Sequence, residues 1–175
     1  RRHATRSRTI EGRTQVHFGW LGHLKMAVRE IRVLGDPALR ARCEEVETVD
    51  DEVRRLVDDL IDTMEAADGI GLAAPQVGIP LRVFVYDIRD PDIEPGALIN
   101  PRIVEAGGTV RDTEGCLSIP GFDETVERYA TVVVEGLDRE GREIRIEADD
   151  LLSRCLQHEY DHLDGVLFID RLSPL

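Results

Sequence analysis

The first strong hydrophobic pattern of the chain follows Val49. Its apolar positions recur every three or four residues, which is typical of the buried face of an amphipathic helix. Asp50 and Asp51 precede this stripe and are candidate N-caps. We therefore predict a helix beginning at this acidic pair, with a buried face made by Val53, Leu56, Val57, Leu60, Ile61 and Met64.

Shorter runs of β-branched and aromatic residues follow, and such runs indicate strands. They cover residues 81–86, 97–104 and 130–137. Residues 143–147 alternate between apolar and polar side chains after a turn at 138–141, as expected for the return strand of a hairpin. The segment 69–78, rich in glycine and small residues, is predicted to be a loop.

A second helix is predicted to open at Asp149 and Asp150 and to stop near Gly165. Its apolar positions are Leu151, Leu152, Cys155, Leu156 and Leu163. The order of a helix, several strands and a helix favours an α+β fold over an alternating α/β fold.

Composition limits the possible classes. The 175 residues, of which 42% are hydrophobic, suffice for one domain with a substantial core. No apolar run approaches the roughly 20 residues of a membrane span. The formal net charge of −13 argues against DNA as a partner. Three cysteines cannot form a disulfide framework and point to a reducing compartment.

Residues 1–25 differ from the rest because they hold six basic residues and a single acid, Glu11. Residues 10–13 read as a tag-removal protease site, and no apolar stretch of a secretory signal follows. We expect residues 1–25 to be a vector-derived, read-through or disordered leader, with Met26 as the natural start. A binding arm and a mitochondrial-type presequence are the alternatives.

The sharpest chemical signal is the segment from His158 to His162, an H-E-x-x-H pattern. On a helix, residues i and i+4 face the same way, so two imidazoles can reach one metal ion. Glu159 beside them can handle protons on a water molecule. After Met26 these are the only histidines, and the apolar residues around them put the helix in the core. Two exposed surface histidines are the alternative.

A catalytic metal site usually has three protein ligands and an open position. No histidine follows His162, and Asp164 is too near along the helix, so the third ligand should lie upstream. Cys116, in a polar glycine-containing stretch, is the obvious candidate. Cys43 and Cys155 fit better as small buried residues.

A third stretch, residues 69–76, runs G-I-G-L-A-A-P-Q. Small residues allow a backbone to approach a ligand closely, and Gln76 offers an amide donor. Alone, this stretch is a weak signal, since a tight loop is the more probable interpretation.

Together, the three stretches resemble peptide deformylase, a family marked by G-φ-G-φ-A-A-x-Q, E-G-C-φ-S and H-E-x-D-H in that order. The resemblance runs from about Met26 to the end of the chain. It implies one catalytic metallohydrolase domain over residues 26–175, with antiparallel strands packed around a central helix that carries the metal-binding motif.

The resemblance also implies the role of each matching residue. The metal ligands would be Cys116, His158 and His162, with Glu159 as general acid/base. Gln76 and the Leu117 backbone N–H would stabilise an oxyanion. Gly71 would hydrogen-bond the substrate backbone, and the methionine pocket would be walled by Ile70, Leu151 and Cys155. Glu114 would be held by an arginine, for which Arg128 is the candidate.

The implied reaction is hydrolysis of the N-formyl group of formylmethionine on new polypeptides, by hydroxide formed at the metal. Fe(II) is implied in the cell, with zinc, nickel or cobalt as alternatives in purified protein. The implied partners are N-formylmethionyl nascent peptides, in the bacterial cytoplasm as the simplest expectation, with a phage or organelle origin left open. Many members continue into a basic C-terminal helix that docks on the ribosome, and its lack here puts that contact in doubt. No membrane contact is expected.

Two other hypotheses remain. A zinc endopeptidase of the H-E-x-x-H type would need a downstream ligand, which the sequence does not offer. A structural zinc site would need a fourth protein ligand and would leave Glu159 without a purpose.

Overall fold

The computed structural model describes residues 27–172. The predicted leader and start residue lie outside this range. The described chain contains helices α1 (Asp51–Ala66) and α2 (Asp150–Leu163). Three short 3₁₀ turns cover Pro37–Arg40, Ala74–Val77 and Phe168–Arg171. The strands are β1 (Gly71–Ala73), β2 (Val83–Tyr86), β3 (Gly96–Gly107), β4 (Val110–Cys116), β5 (Ile119–Arg128), β6 (Thr131–Leu137) and β7 (Glu143–Asp149).

Helix α1 begins where the acidic pair predicts. The Asp50 side chain accepts hydrogen bonds from the backbone N–H groups of Glu52 and Val53, which satisfies two donors that have no partner inside the helix. The predicted apolar stripe is buried along its whole length. The N-cap and the stripe together therefore fix both the start of the helix and the face it turns inward.

Five strands form an antiparallel sheet in the order β1-β2-β3-β6-β7. Successive side chains of a strand point to opposite faces, and β2 is buried on both. Val83 and Val85 pack into one apolar cluster with α1, whereas Phe84 and Tyr86 pack into another with α2. The sheet thus lies between the two helices, and the predicted α+β class with antiparallel strands is confirmed.

Strands β4 and β5 form a separate two-stranded sheet. It is anchored by a small cluster in which Ile119 and Val126 pack against Leu39, Leu167 and Phe168. This hairpin was not predicted by the sequence pattern. The segment predicted as a loop also differs, because it contains β1 and a 3₁₀ turn. Within the described range, no helix combines the length and apolarity needed to cross a bilayer.

Candidate active site

Helix α2 carries five of the predicted site residues, namely Leu151, Cys155, His158, Glu159 and His162. Leu152, Leu156 and Leu163 are buried against the sheet and fix the rotation of the helix. His158 and His162 lie one turn apart, and their Nε2 atoms are 3.3 Å from each other. The i, i+4 spacing therefore brings two imidazole nitrogens to one point, as the sequence predicts.

Cys116, the last residue of β4, completes a group of three possible metal ligands. Its Sγ atom lies 3.5 Å from His162 Nε2, and the three ligand atoms all lie within 4.8 Å of one another. Bonds of about 2.0–2.1 Å to nitrogen and about 2.3 Å to sulfur would separate the ligands of a tetrahedral ion by roughly 3.3–3.6 Å. The residues present therefore fit a single metal ion.

The imidazole of His158 is oriented by a buried carboxylate. His158 Nδ1 lies 3.0 Å from Glu114 Oε2, which leaves Nε2 free to bind a metal ion. Arg128 holds Glu114 through two hydrogen bonds of 2.8 Å, so the predicted Glu114–Arg128 pair is present. Burial raises the pKa of Glu114, but the hydrogen bonds from Arg128 and His158 outweigh burial and lower it to about 2.

The His162 ring is fully buried. Burial lowers its pKa well below the usual range, which favours the neutral imidazole that binds metal ions. Its Nδ1 atom has no hydrogen-bond partner within residues 27–172.

The Gln76 side chain is oriented by its own 3₁₀ turn. Its Oε1 accepts a hydrogen bond of 2.9 Å from the Ala73 N–H, which fixes the amide plane. The Nε2 group then points to Ser118 Oγ at 3.1 Å and to Cys116 Sγ at 3.7 Å. An amide donor is thereby held beside the three possible ligands.

Glu159 is buried directly against the β1 backbone. Its Oε2 atom has no hydrogen-bond partner among the described residues, and burial raises the pKa of the carboxyl group to about 7. A Cβ atom on Gly71 would lie 2.5 Å from Glu159 Oε1. Because glycine has no Cβ atom, position 71 leaves room for the Glu159 carboxylate.

These residues surround a cavity of about 570 Å³, a size typical of small-ligand sites. Ile70, Leu151 and Cys155 form part of its wall, and Leu117 lies in the turn between β4 and β5. The Cys155 Sγ lies 3.5 Å from the Ile70 carbonyl oxygen, which joins α2 to the start of β1. All predicted site residues line the cavity except His162 and Arg128, which lie in its buried surroundings.

Sequence reasoning missed several residues of this region. Asp161 binds Arg128 Nη1 at 2.6 Å and also pairs with Arg171. Because Arg128 also holds Glu114, this one buried cation links two carboxylates. The aspartate in the H-E-Y-D-H segment was the available signal for it. Ser118 and Arg154 also lie at the site. The serine of the E-G-C-φ-S segment was the available signal for Ser118, whereas no sequence pattern pointed to Arg154.

The chain is similar in sequence to known proteins of one family. The family model for polypeptide deformylase matches residues 28–175. Peptide deformylase 2 of Streptomyces avermitilis is 50% identical over 158 residues, which are 89% of this chain and 83% of that protein.

The chain is also similar to solved structures of peptide deformylases. The crystal structure of a peptide deformylase from Legionella pneumophila has a TM-score of 0.81 and 47% identity, covering 85% of this chain and 88% of that one. A peptide deformylase from Synechococcus elongatus in complex with actinonin has a TM-score of 0.79 and 48% identity, over 83% and 79% of the two chains.

Proposed function

The chain belongs to the peptide deformylase family, and on that premise we propose that it hydrolyses the N-formyl group from the formylmethionine of new polypeptides and releases formate. The observation that carries the proposal is that the ligand atoms of Cys116, His158 and His162 converge at one cavity. The buried Glu159 lines that cavity together with Cys116 and His158. The partners of the enzyme are then N-formylmethionyl nascent peptides, which are made in the cytoplasm. A contact with the ribosome stays a prediction.

We propose that Cys116, His158 and His162 hold one divalent metal ion. The separations of their ligand atoms and the hydrogen bond between His158 and Glu114 support this assignment. A bound ion of this kind supplies Lewis-acid activation of water near neutral pH. One thiolate and two imidazoles suit Fe(II), which we propose in the cell, and equally zinc, nickel or cobalt in purified protein.

Glu159 is the proposed general acid/base. Its carboxylate lies against the β1 backbone at Gly71, where the peptide would bind, and the residue follows His158 on α2. In the proposed reaction, one of its oxygens takes a proton from the attacking water and later delivers it to the nitrogen of the leaving amine. The Oε2 atom, which has no hydrogen-bond partner among residues 27–172, is free to do both.

Gln76 and the Leu117 N–H are the proposed oxyanion donors. The bond from the Ala73 N–H holds the Gln76 amide with its NH₂ group toward Cys116, so the donor is positioned before substrate binds. A donor of this kind typically contributes about 10²–10³ in rate.

Two strand edges explain how a peptide would bind. Among the described residues, strand β1 pairs only with β2 and β4 only with β5, and residues of both line the cavity. An extended peptide can pair its backbone with such an edge, and Gly71 is the proposed partner in β1. The methionine side chain would then enter the part of the cavity walled by Ile70, Leu151 and Cys155. We propose residues 26–175 as the catalytic domain, which the family match from residue 28 supports.

The test is formate release from a formyl-Met-Ala-Ser peptide by protein purified without oxygen, with and without a chelator. We expect release that the chelator abolishes and that added metal restores. Glu159→Gln should keep its metal and lose nearly all turnover, whereas Glu127→Gln, an exposed control on β5, should keep both. Absence of formate release by fully metal-loaded protein would refute the proposal, and cleavage of internal peptide bonds would then favour an endopeptidase.

A further inference from the structure

The charged side chains that line the cavity, apart from the catalytic group, are nearly all neutralised by ion pairs. Arg154 pairs with Asp112 at 3.2 Å, and its side chain is only 14% exposed. Asp68 pairs with Arg89 at 2.7 Å. Glu114 is held by Arg128. These side chains therefore present little net charge to a bound peptide.

Asp123 is the exception. It lines the cavity from β5 and is exposed, and its side chain makes no hydrogen bond or ion pair with any residue between 27 and 172. Its neighbour Glu124 accepts a hydrogen bond from the Thr125 N–H, so Glu124 is partly satisfied while Asp123 is not. The mouth of the cavity thus carries one uncompensated carboxylate.

Asp123 and Gly115 are cross-strand neighbours in the β4–β5 hairpin. A Cβ atom on Gly115 would lie 3.9 Å from Asp123 Cβ, an ordinary van der Waals separation, so positions 115 and 123 are adjacent on the hairpin. Both residues line the cavity, and Gly115 precedes Cys116. The exposed Asp123 side chain therefore lies next to the segment that carries Cys116.

The position of Asp123 sets which part of a peptide it can reach. Cross-strand neighbours have Cα atoms about 5 Å apart, so Asp123 lies close to the residue that precedes Cys116. An extended peptide advances about 3.3 Å per residue. A peptide with its formyl group at Cys116 and His158 therefore brings its second and third residues within reach of the Asp123 carboxylate.

We propose that Asp123 is a specificity-determining residue, which favours formyl peptides with a basic side chain at the second or third position and disfavours those with an acidic one. This inference rests on the proposed function and adds a substrate preference to it. The preference is electrostatic, between an exposed carboxylate and an exposed side chain, so it is modest and is screened by salt.

The experiment compares kcat/KM for formyl-Met-X-Ala-Ser and formyl-Met-Ala-X-Ser, where X is Lys, Gln or Glu. At low ionic strength we expect Lys to exceed Glu by about 3–10-fold in at least one series, because attraction in one peptide is replaced by repulsion in the other. In 0.5 M salt the ratio should fall below about 2.

The variants separate a local effect from the overall acidity of the protein. Asp123→Asn should reduce the Lys/Glu ratio to below about 2, because it removes the attraction for the Lys peptides and the repulsion of the Glu peptides. Glu127→Gln removes the same charge from the same strand outside the cavity and should keep the wild-type ratio.

Efficient hydrolysis of the Gln peptides with no discrimination between Lys and Glu would overturn the inference and leave the proposed function standing. The inference is also overturned if Asp123→Asn keeps the wild-type ratio, or if Glu127→Gln abolishes it as fully as Asp123→Asn does. Failure to hydrolyse any of the peptides would overturn the proposed function and this inference with it.

Discussion

Replacing Arg128 with methionine would remove the cation that two buried carboxylates share. The Arg128 side chain is 1% exposed and bridges Glu114 on β4 and Asp161 on α2. Methionine fills similar space without charge. In the variant, Asp161 keeps Arg171, whereas Glu114 keeps only its contact with His158. A buried carboxylate would therefore be left without its main partner.

The expected cost follows from the burial of this pair. Removing one partner of a buried ion pair typically costs about 3–5 kcal/mol, because the remaining charge is desolvated and uncompensated. A domain of this size has a total unfolding free energy of about 5–15 kcal/mol, so the loss is a large fraction of it. With a urea m-value of about 2 kcal/mol/M, the unfolding midpoint should fall by about 2 M.

The metal site should weaken at the same time. Glu114 orients the His158 ring, and losing such a supporting contact typically reduces metal affinity about 10–100-fold. Competition with a coloured zinc chelator measures this affinity independently of turnover. Arg128→Lys should recover only part of both losses, because an ammonium group cannot repeat the two parallel hydrogen bonds made by Arg128.

The assay is urea unfolding of metal-free and zinc-loaded protein, followed by circular dichroism. Arg145→Met is the matched control, because Arg145 also joins two carboxylates, Glu105 and Glu135, but on the exposed face of the sheet. We expect no resolvable change in its unfolding midpoint or zinc affinity. A wild-type midpoint and wild-type zinc affinity in Arg128→Met would refute the reasoning that this cation supports the site.

Two further predictions concern the cavity. Gly71→Ala should lower kcat/KM at least about 10-fold with zinc retained, because the new Cβ would displace the Glu159 carboxylate. The control Gly107→Ala should stay active, because its Cβ would meet only Thr131 Oγ1, at 3.4 Å. Iodoacetamide should alkylate metal-free protein first at Cys116, since burial raises the pKa of Cys43 to about 11 and that of Cys155 well above its usual range. Bound zinc should protect Cys116, and mass spectrometry showing equal labelling of all three thiols would contradict this.

The helices were predictable from sequence because each has a local signal. In α1 the Asp50 cap and the apolar stripe agree. In α2 the stripe predicts the buried positions Leu152, Cys155, Leu156 and Leu163, but Leu151 is exposed. Strands β2, β3, β6 and β7 were likewise recognised from β-branched runs, with boundaries that differ by a few residues.

The hairpin β4–β5 was missed for a physical reason. Most of its side chains are exposed on both faces, and only Glu114, Ile119, Val126 and Arg128 are buried within the two strands. A strand without a consistent apolar face gives no alternating pattern. Strand β1 was missed because Gly71–Ala73 has no β-branched residue and is a strand through its pairing with β2.

In the candidate site, too, local sequence signals predict some contacts, whereas others depend on tertiary packing. The spacing of His158 and His162 predicts their convergence, since a helix fixes it locally. The meeting of Cys116 with these residues depends on how the hairpin lies over α2, and single-sequence spacing carries no such information. The link from Glu114 through Arg128 to Asp161 is also a product of tertiary packing, although the resemblance to a family supplied its first half.

The proposed metal ligands belong to two parts of the fold, helix α2 and the β4–β5 hairpin, which are held by apolar clusters of different size. This difference affects how quickly a bound metal ion would be lost. Both histidines belong to a helix buried against the five-stranded sheet, whereas Cys116 ends a hairpin held by a much smaller apolar cluster. Regions with fewer buried apolar contacts open at lower free energy than the rest of a protein. In the proposed metal site, we therefore expect the Cys116 thiolate to detach first, so that the residence time of a metal ion would depend on opening of the hairpin rather than on global unfolding.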